Sequence, residues 1–363
     1  MSAGYAQRGG RAASLDPAFT SLAERVASAH IPAAALAVGD AEGPLRKEAF
    51  AAPGERPVDA ESMFFLASVT KPIFATALMQ LVEEGSLELH EPITRYLPEF
   101  AGGGKEQVTI WHLLTHTSGV QDLTTELIRR SRPSAARMTR LTLEAPLRFE
   151  PGTRWDYCST SFLVLAEIVR RVTGMTAARL MRERLFDPLG MRHTTFDPRR
   201  AGRPIVPVQG VGADNRIRRF LLLRYVVSIS HPGGGLFGTL DDLLRFGAAL
   251  LRPRRDRRRW LPVAPATFEL MSQDHVGGLP AVVEGVERPI HHGLGWGKPT
   301  LSREMPGSAR VVDHGGATGT RLWIDPDAEL VFVYFTTRWE PDRGPELDAL
   351  RATYRAFGTP APA

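Results

Sequence analysis

The chain has 363 residues, 43% of them hydrophobic and 23% charged, with a formal net charge of +5. That balance excludes a disordered or fibrous chain and leaves room for one large domain or two closely joined ones around a sizeable core. A single cysteine, Cys158, excludes an intrachain disulfide framework, and no apolar run reaches the length that spans a bilayer.

The first residues, MSAGYAQRGGRAASLDP, contain no apolar core of signal-peptide length, so the expected location is the cytoplasm. Asp16-Pro17 reads as a helix start with Asp16 as N-cap, and Phe19, Leu22 and Val26 keep helical spacing to about residue 30. A short apolar strand over 31–38 follows, broken by Gly39-Asp40. Residues 64–67 lead into Ser68-Val69-Thr70-Lys71, and a helix over 73–84 ends at Gly85.

A helix that begins near Ser68 puts Ser68 and Lys71 on one face, three residues apart. A serine hydroxyl is a poor nucleophile without an adjacent base. Lysine supplies one when burial and a neighbouring positive group favour its neutral form, and the helix N-terminus offers N–H groups to a developing oxyanion. The plain alternative is an N-cap serine and a solvated lysine. Pro72 lacks the N–H that would bond the Ser68 carbonyl, which predicts a distorted first turn.

From 90 to 232 strand signals are scarce, and helices are expected at 110–114, 141–143, 162–172 and 175–185. His112 and His116 have the spacing of zinc ligands, but Leu113 stands where a metalloprotease motif has glutamate, so they read as helix and turn residues. In Tyr157-Cys158-Ser159, the Tyr157 hydroxyl is suited to shuttle a proton beside Lys71; the alternative is a core aromatic. No local motif supports Cys158 as a nucleophile. Gly233 to Gly238 fits GxGxxG, yet no second strand with a suitably placed acid follows, which argues against a dinucleotide site.

The basic run 252–260 reads as a solvated connecting loop rather than a phosphate or nucleic-acid contact, since no nucleic-acid module accompanies it. In Asp313-His314-Gly315-Gly316-Ala317-Thr318-Gly319, placed just before a strand at 320–324, the glycines let a ligand approach the backbone and His314 can bond a carboxylate or carbonyl. Taken alone it reads better as a glycine-rich turn into a hairpin. Strands at 319–324 and 330–336 form an antiparallel hairpin across 325–328, and a helix over 348–357 closes the chain. Residues 1–89 and 233–363 thus form a sheet-containing α/β domain and residues 90–232 a mainly helical one, with a cleft between them.

In this order, Ser68-Val69-Thr70-Lys71, Tyr157-Cys158-Ser159 and His314-Gly315-Gly316 resemble the three motifs of the serine β-lactamase and penicillin-binding protein superfamily. The phrases VTIWHLLTHTSGV (108–120), FEPGTRWDY (149–157), LFDPLGMRHTTF (185–196), GGGLFGTLDDLLRF (233–246) and GLGWG (293–297) resemble its class C branch, which includes family VIII carboxylesterases. The resemblance implies an antiparallel sheet flanked by helices, with an inserted all-helical domain. It implies Ser68 as the acylated nucleophile, Lys71 and Tyr157 as proton-transfer partners, and the N–H groups of Ser68 and of Ala317, on the edge strand after the third motif, as the oxyanion hole. Ser159, His314, Gly315 and Gly316 would bind substrate.

Two positions depart from the β-lactamase pattern. Ser159 stands in place of the usual asparagine, and His314 replaces the lysine of Lys-Thr-Gly, exchanging a permanent charge for one expected to titrate near neutrality. Both weaken β-lactam recognition more than acyl transfer. The absence of a G-x-S-x-G elbow disfavours an α/β-hydrolase. The expected activity is hydrolysis of small carboxylic esters through an acyl-serine, without cofactor or metal. A β-lactamase or D-amino-acid peptidase, an acyltransferase and a non-catalytic binding protein are the alternatives. A small-molecule ester or amide is the expected partner, with no nucleic acid and no membrane.

Overall fold

The computed structural model describes residues 2–28, 30–210, 215–252, 261–283, 286–302 and 305–358. All of the basic run except Arg252 lies outside the described residues.

Five strands form the central sheet: β1 (Ala33–Asp40), β2 (Gly43–Ala51), β3 (Val312–Gly315), β4 (Arg321–Asp325) and β5 (Leu330–Thr336). They are antiparallel in the order β2-β1-β5-β4-β3, with Leu36 opposite Tyr334 and Asp313 opposite Trp323. Successive side chains of a strand point to opposite faces. Leu36, Val38, Phe332 and Tyr334 therefore pack with α1 (Asp16–Ala27) and the C-terminal helix Gly344–Ala356, while Ala35, Ala37, Val331 and Val333 pack with α2 (Thr70–Glu83) and the helix Leu240–Leu251. Gly247 makes the second contact possible, since a Cβ there would lie 2.6 Å from Val331 Cγ1.

The expected elements need four corrections. Asp16 is the first residue of α1 rather than its cap, which is the buried Leu15. β1 runs through Gly39-Asp40, where a register shift after Val38 absorbs the glycine, and Asp40 pairs with Gly43 to open a hairpin. The sequence reading missed β2, GPLRKEAFA, because an edge strand carrying Arg46, Lys47 and Glu48 shows little apolar alternation. Finally, the His314 motif does precede the strand β4, but His314 itself lies on a further strand, β3, at the sheet edge.

Along 90–232 the described residues form helices joined by turns and isolated bridges, including Ile110–Leu114, α3 (Thr125–Ser131), Ala135–Glu144, α4 (Ser161–Thr173) and α5 (Arg216–Ile229). The sheet and its helices are welded by apolar burial. Around the cleft, by contrast, many contacts are hydrogen bonds from side chains to backbone.

Candidate active site

The turn before α2 is distorted, as Pro72 predicts. Ala67 has φ +46° and begins a 3₁₀ turn, Ala67–Val69, from which the α-helix continues. A non-glycine residue in the left-handed region costs on the order of 1 kcal/mol, and the surroundings must hold it there. They do so with three threonines: Thr70 Oγ1 donates to Ala67 O at 2.6 Å, Thr320 Oγ1 to Leu66 O at 2.8 Å and Thr318 Oγ1 to Phe65 O at 2.7 Å. Thr70 Oγ1 also accepts the Leu236 N–H, at 3.1 Å. The next residue in the turn, Ser68, is part-exposed.

Lys71 is fully buried on α2. Its Nζ lies 3.2 Å from Ser68 Oγ, 3.2 Å from Ser159 Oγ and 2.6 Å from Gly233 O. It also stands 4.8 Å from the centre of the Tyr157 ring and 5.4 Å from that of Phe162. Among the described residues no carboxylate forms an ion pair with it. The first two motifs thus meet at one amine.

Tyr157 is 36% exposed, so it is not the core aromatic of the plain alternative. The loop that carries it belongs to no sheet ladder. Three consecutive N–H groups are instead bound by side chains of the 116–122 segment: Cys158 N–H by His116 Nδ1 at 3.2 Å, Ser159 N–H by Asp122 Oδ2 at 3.1 Å and Thr160 N–H by Asp122 Oδ1 at 3.0 Å. Sequence reasoning missed Asp122 altogether. The only signal was an acid just after THTSGVQ, and nothing local says which backbone it will meet.

The other sequence candidates find plain roles. His112 caps its own helix, its Nδ1 accepting the Thr109 N–H at 3.1 Å, and His116 holds the Cys158 loop. Burial drives the Cys158 thiol up to about 11, the opposite of a nucleophile's shift. The glycines from 233 form a tight turn instead of a phosphate cradle. His231 Nδ1 accepts the Gly233 N–H at 3.0 Å, and a Cβ on Gly235 would lie 2.7 Å from His231 N. The Gly233 carbonyl on Lys71, and His231 behind it, are further site residues the sequence did not disclose.

The third motif closes on the first. A Cβ on Gly316 would lie 2.5 Å from Leu66 O and 3.2 Å from Ala67 Cβ, so only glycine lets the end of β3 reach the Ser68 turn. Ala317 lies in the turn after β3, not on a strand beyond it as expected, and its carbonyl accepts the Glu340 N–H at 2.7 Å.

His314 is buried, with Nδ1 2.9 Å from Gly315 O and its ring 6.3 Å from that of Tyr157. Burial first, and the Lys71 charge second, pull it down to about 3, which corrects the expectation of titration near neutrality. Burial likewise lowers His231 to about 3, His292 to about 4 and His116 well below its ordinary value. At neutral pH these four rings are uncharged.

A serine and a lysine at the head of a buried helix, between a covered antiparallel sheet and a helical flank, define the class of β-lactamase and penicillin-binding-protein folds. The chain belongs to the β-lactamase family, whose Beta-lactamase model matches residues 20–356. It is 33% identical over 341 residues to Esterase EstB of Burkholderia gladioli, covering 82% of this chain and 83% of that one. It is 36% identical over 366 residues to Penicillin-binding protein 4 of Amycolatopsis lactamdurans, covering 91% and 94%. The crystal structure of a family VIII carboxylesterase superposes with a TM-score of 0.77 over 94% of this chain and 97% of that one; at 19% identity this likeness speaks for the fold alone.

Proposed function

We propose that the protein hydrolyses small carboxylic esters through an acyl-enzyme on Ser68. The observation that carries the reading is the fully buried Lys71 with its Nζ 3.2 Å from Ser68 Oγ, in a chain 33% identical to an esterase. In the acylation step Lys71 Nζ takes the Ser68 proton as Oγ bonds the ester carbonyl carbon. The N–H groups of Ser68 and Ala317 receive the oxyanion. As the carbon–alkoxide bond breaks, Tyr157 passes a proton to the leaving alcohol and is reprotonated from Lys71. Water then attacks the acyl-serine by the same route in reverse, releasing the acid.

Ser159, His314, Gly315 and Gly316 line the substrate's path in this reading. The site lies between a sheet-containing domain, residues 1–89 and 233–363, and a helical domain, residues 90–232. A cytoplasmic setting belongs to the same proposal, supported by a lone buried cysteine.

Intact-protein mass spectrometry after mixing with p-nitrophenyl butyrate, run beside chromophore release, tests the mechanism. An acyl adduct on Ser68 with rapid turnover is expected, and Ser68→Ala is expected to lose both. Full ester turnover by Ser68→Ala would overturn the mechanism. The likeness to Penicillin-binding protein 4 makes a penicillin the second probe, and a stable penicilloyl adduct would mark β-lactams as inhibitors.

A further inference from the structure

The sequence suggests no membrane partner, and among the described residues no helix is long and apolar enough to cross a bilayer. One face of the helical flank nevertheless has the chemistry of a surface that lies on lipid. α5 buries one stripe only: Ile229 and Tyr225 pack with Met138 and Leu163, and Tyr225 Oη donates to Pro133 O at 3.1 Å. Its other stripe is apolar and open to water, with Ile217 72%, Phe220 53% and Leu221 43% exposed. By the helical period these three share one side with Arg224, whose guanidinium sits 5.7 Å from the centre of the Phe220 ring.

A second helix packs on the same small core. α3 joins the same small core through Ile128 and adds Leu127, 38% exposed, with Arg129, Arg130 and the capping residue Arg132. Glu126 is the single acid in the sequence of either helix, against four arginines on α5 alone. Contiguous exposed apolar groups rimmed by polar ones mark a docking site. Arg129 and Arg130 both pair with Glu126, and the sequence of the two helices still carries arginine in excess of acid, which complements an anionic headgroup layer, while Phe220 and Leu221 are large enough to enter the acyl boundary.

We propose that the face formed by α5 and α3 docks on an anionic lipid surface. The charge excess favours this occupant over a second copy of the chain, which would set arginine against arginine. The docked helix sits next to the cleft: α5 is capped by Ser230, and three residues later the Gly233 carbonyl meets Lys71. An amphiphilic molecule held in the lipid is thereby brought beside the site. The docking inference does not rest on the ester reading and is tested without it.

The experiment is sedimentation of the full chain with phosphatidylcholine vesicles, with and without about three parts in ten of phosphatidylglycerol. Binding to the anionic vesicles at low salt is expected, weakened by salt and absent with phosphatidylcholine alone. Phe220→Ser with Leu221→Ser is expected to weaken it about tenfold or more, and so is Arg132→Gln with Arg224→Gln. Both variants should keep wild-type turnover of any water-soluble substrate and wild-type melting. A wild-type chain that stays in the supernatant, as it would if the occupant were an acidic protein, overturns the proposal. So does equal binding to neutral vesicles, or binding that survives both pairs of substitutions.

Discussion

The two sides of the cleft are held in place by different physics. On the sheet side, Ser68 and Lys71 open a helix whose next residues are almost all buried, and the third motif is an edge strand paired to β4. On the helical side, Tyr157 and Ser159 ride a loop whose N–H groups are taken by His116 and Asp122. Apolar burial tolerates no change of shape but spreads its energy over many groups. A carboxylate that binds two N–H groups concentrates positional control in one side chain, which can be removed while the core stays intact.

The largest effect is expected where the sides meet. Lys71→Met keeps the apolar stem but leaves Ser68 Oγ, Ser159 Oγ and the Gly233 carbonyl without their donor, and ester turnover should fall by ~10⁴-fold or more. Retention of a substantial rate would mean that Ser68 finds its base elsewhere.

Gly316→Ala tests the sheet side. Its methyl would meet Leu66 O at 2.5 Å and press on Thr320 Oγ1, so denaturant unfolding should show a loss of about 1–3 kcal/mol along with lost activity. Asp122→Ala tests the other side: turnover is expected to drop about 10–100-fold at nearly unchanged KM, with a smaller loss of stability than Gly316→Ala causes. Equal destabilisation by the two would erase the distinction between the sides.

The smallest and most graded effect is that of pH. His231 and His314 are lowered to about 3 and His292 to about 4 in the folded chain, against an ordinary value near 6.5. Between about 6.5 and 4 the unfolded chain binds protons that the folded one does not, so stability falls as pH falls. Melting temperature measured from pH 7 to 4.5 should decline steadily, and His314→Gln should make the decline shallower. A flat profile would mean the rings are hydrated rather than buried.

Much of the fold was legible because its signals are local. The hairpin of β4 and β5 announced itself through β-rich runs around Asp325-Pro326-Asp327, and the helices of 110–114 and 161–173 through apolar spacing. β2 was not legible, since its charged outer face hides the alternation. The serine, lysine and tyrosine motifs stood out in sequence because each is a short phrase whose chemistry can be named from residue types alone.

Sequence by itself determined the hairpin of β4 and β5, the main helices, the order of the three motifs and the distorted turn that Pro72 predicts, because local residues carry those signals, while the whole antiparallel sheet, which pairs Ala34 with Thr336, was implied only by the family resemblance. Tertiary structure alone decided that His314 is uncharged, that Asp122 holds the Ser159 loop, that Gly233 faces Lys71 and that α5 leaves Phe220 in water. Each of these depends on burial or on a partner tens of residues away, and the cost of burying a charge or the reach of a carboxylate exists only once the chain has closed on itself.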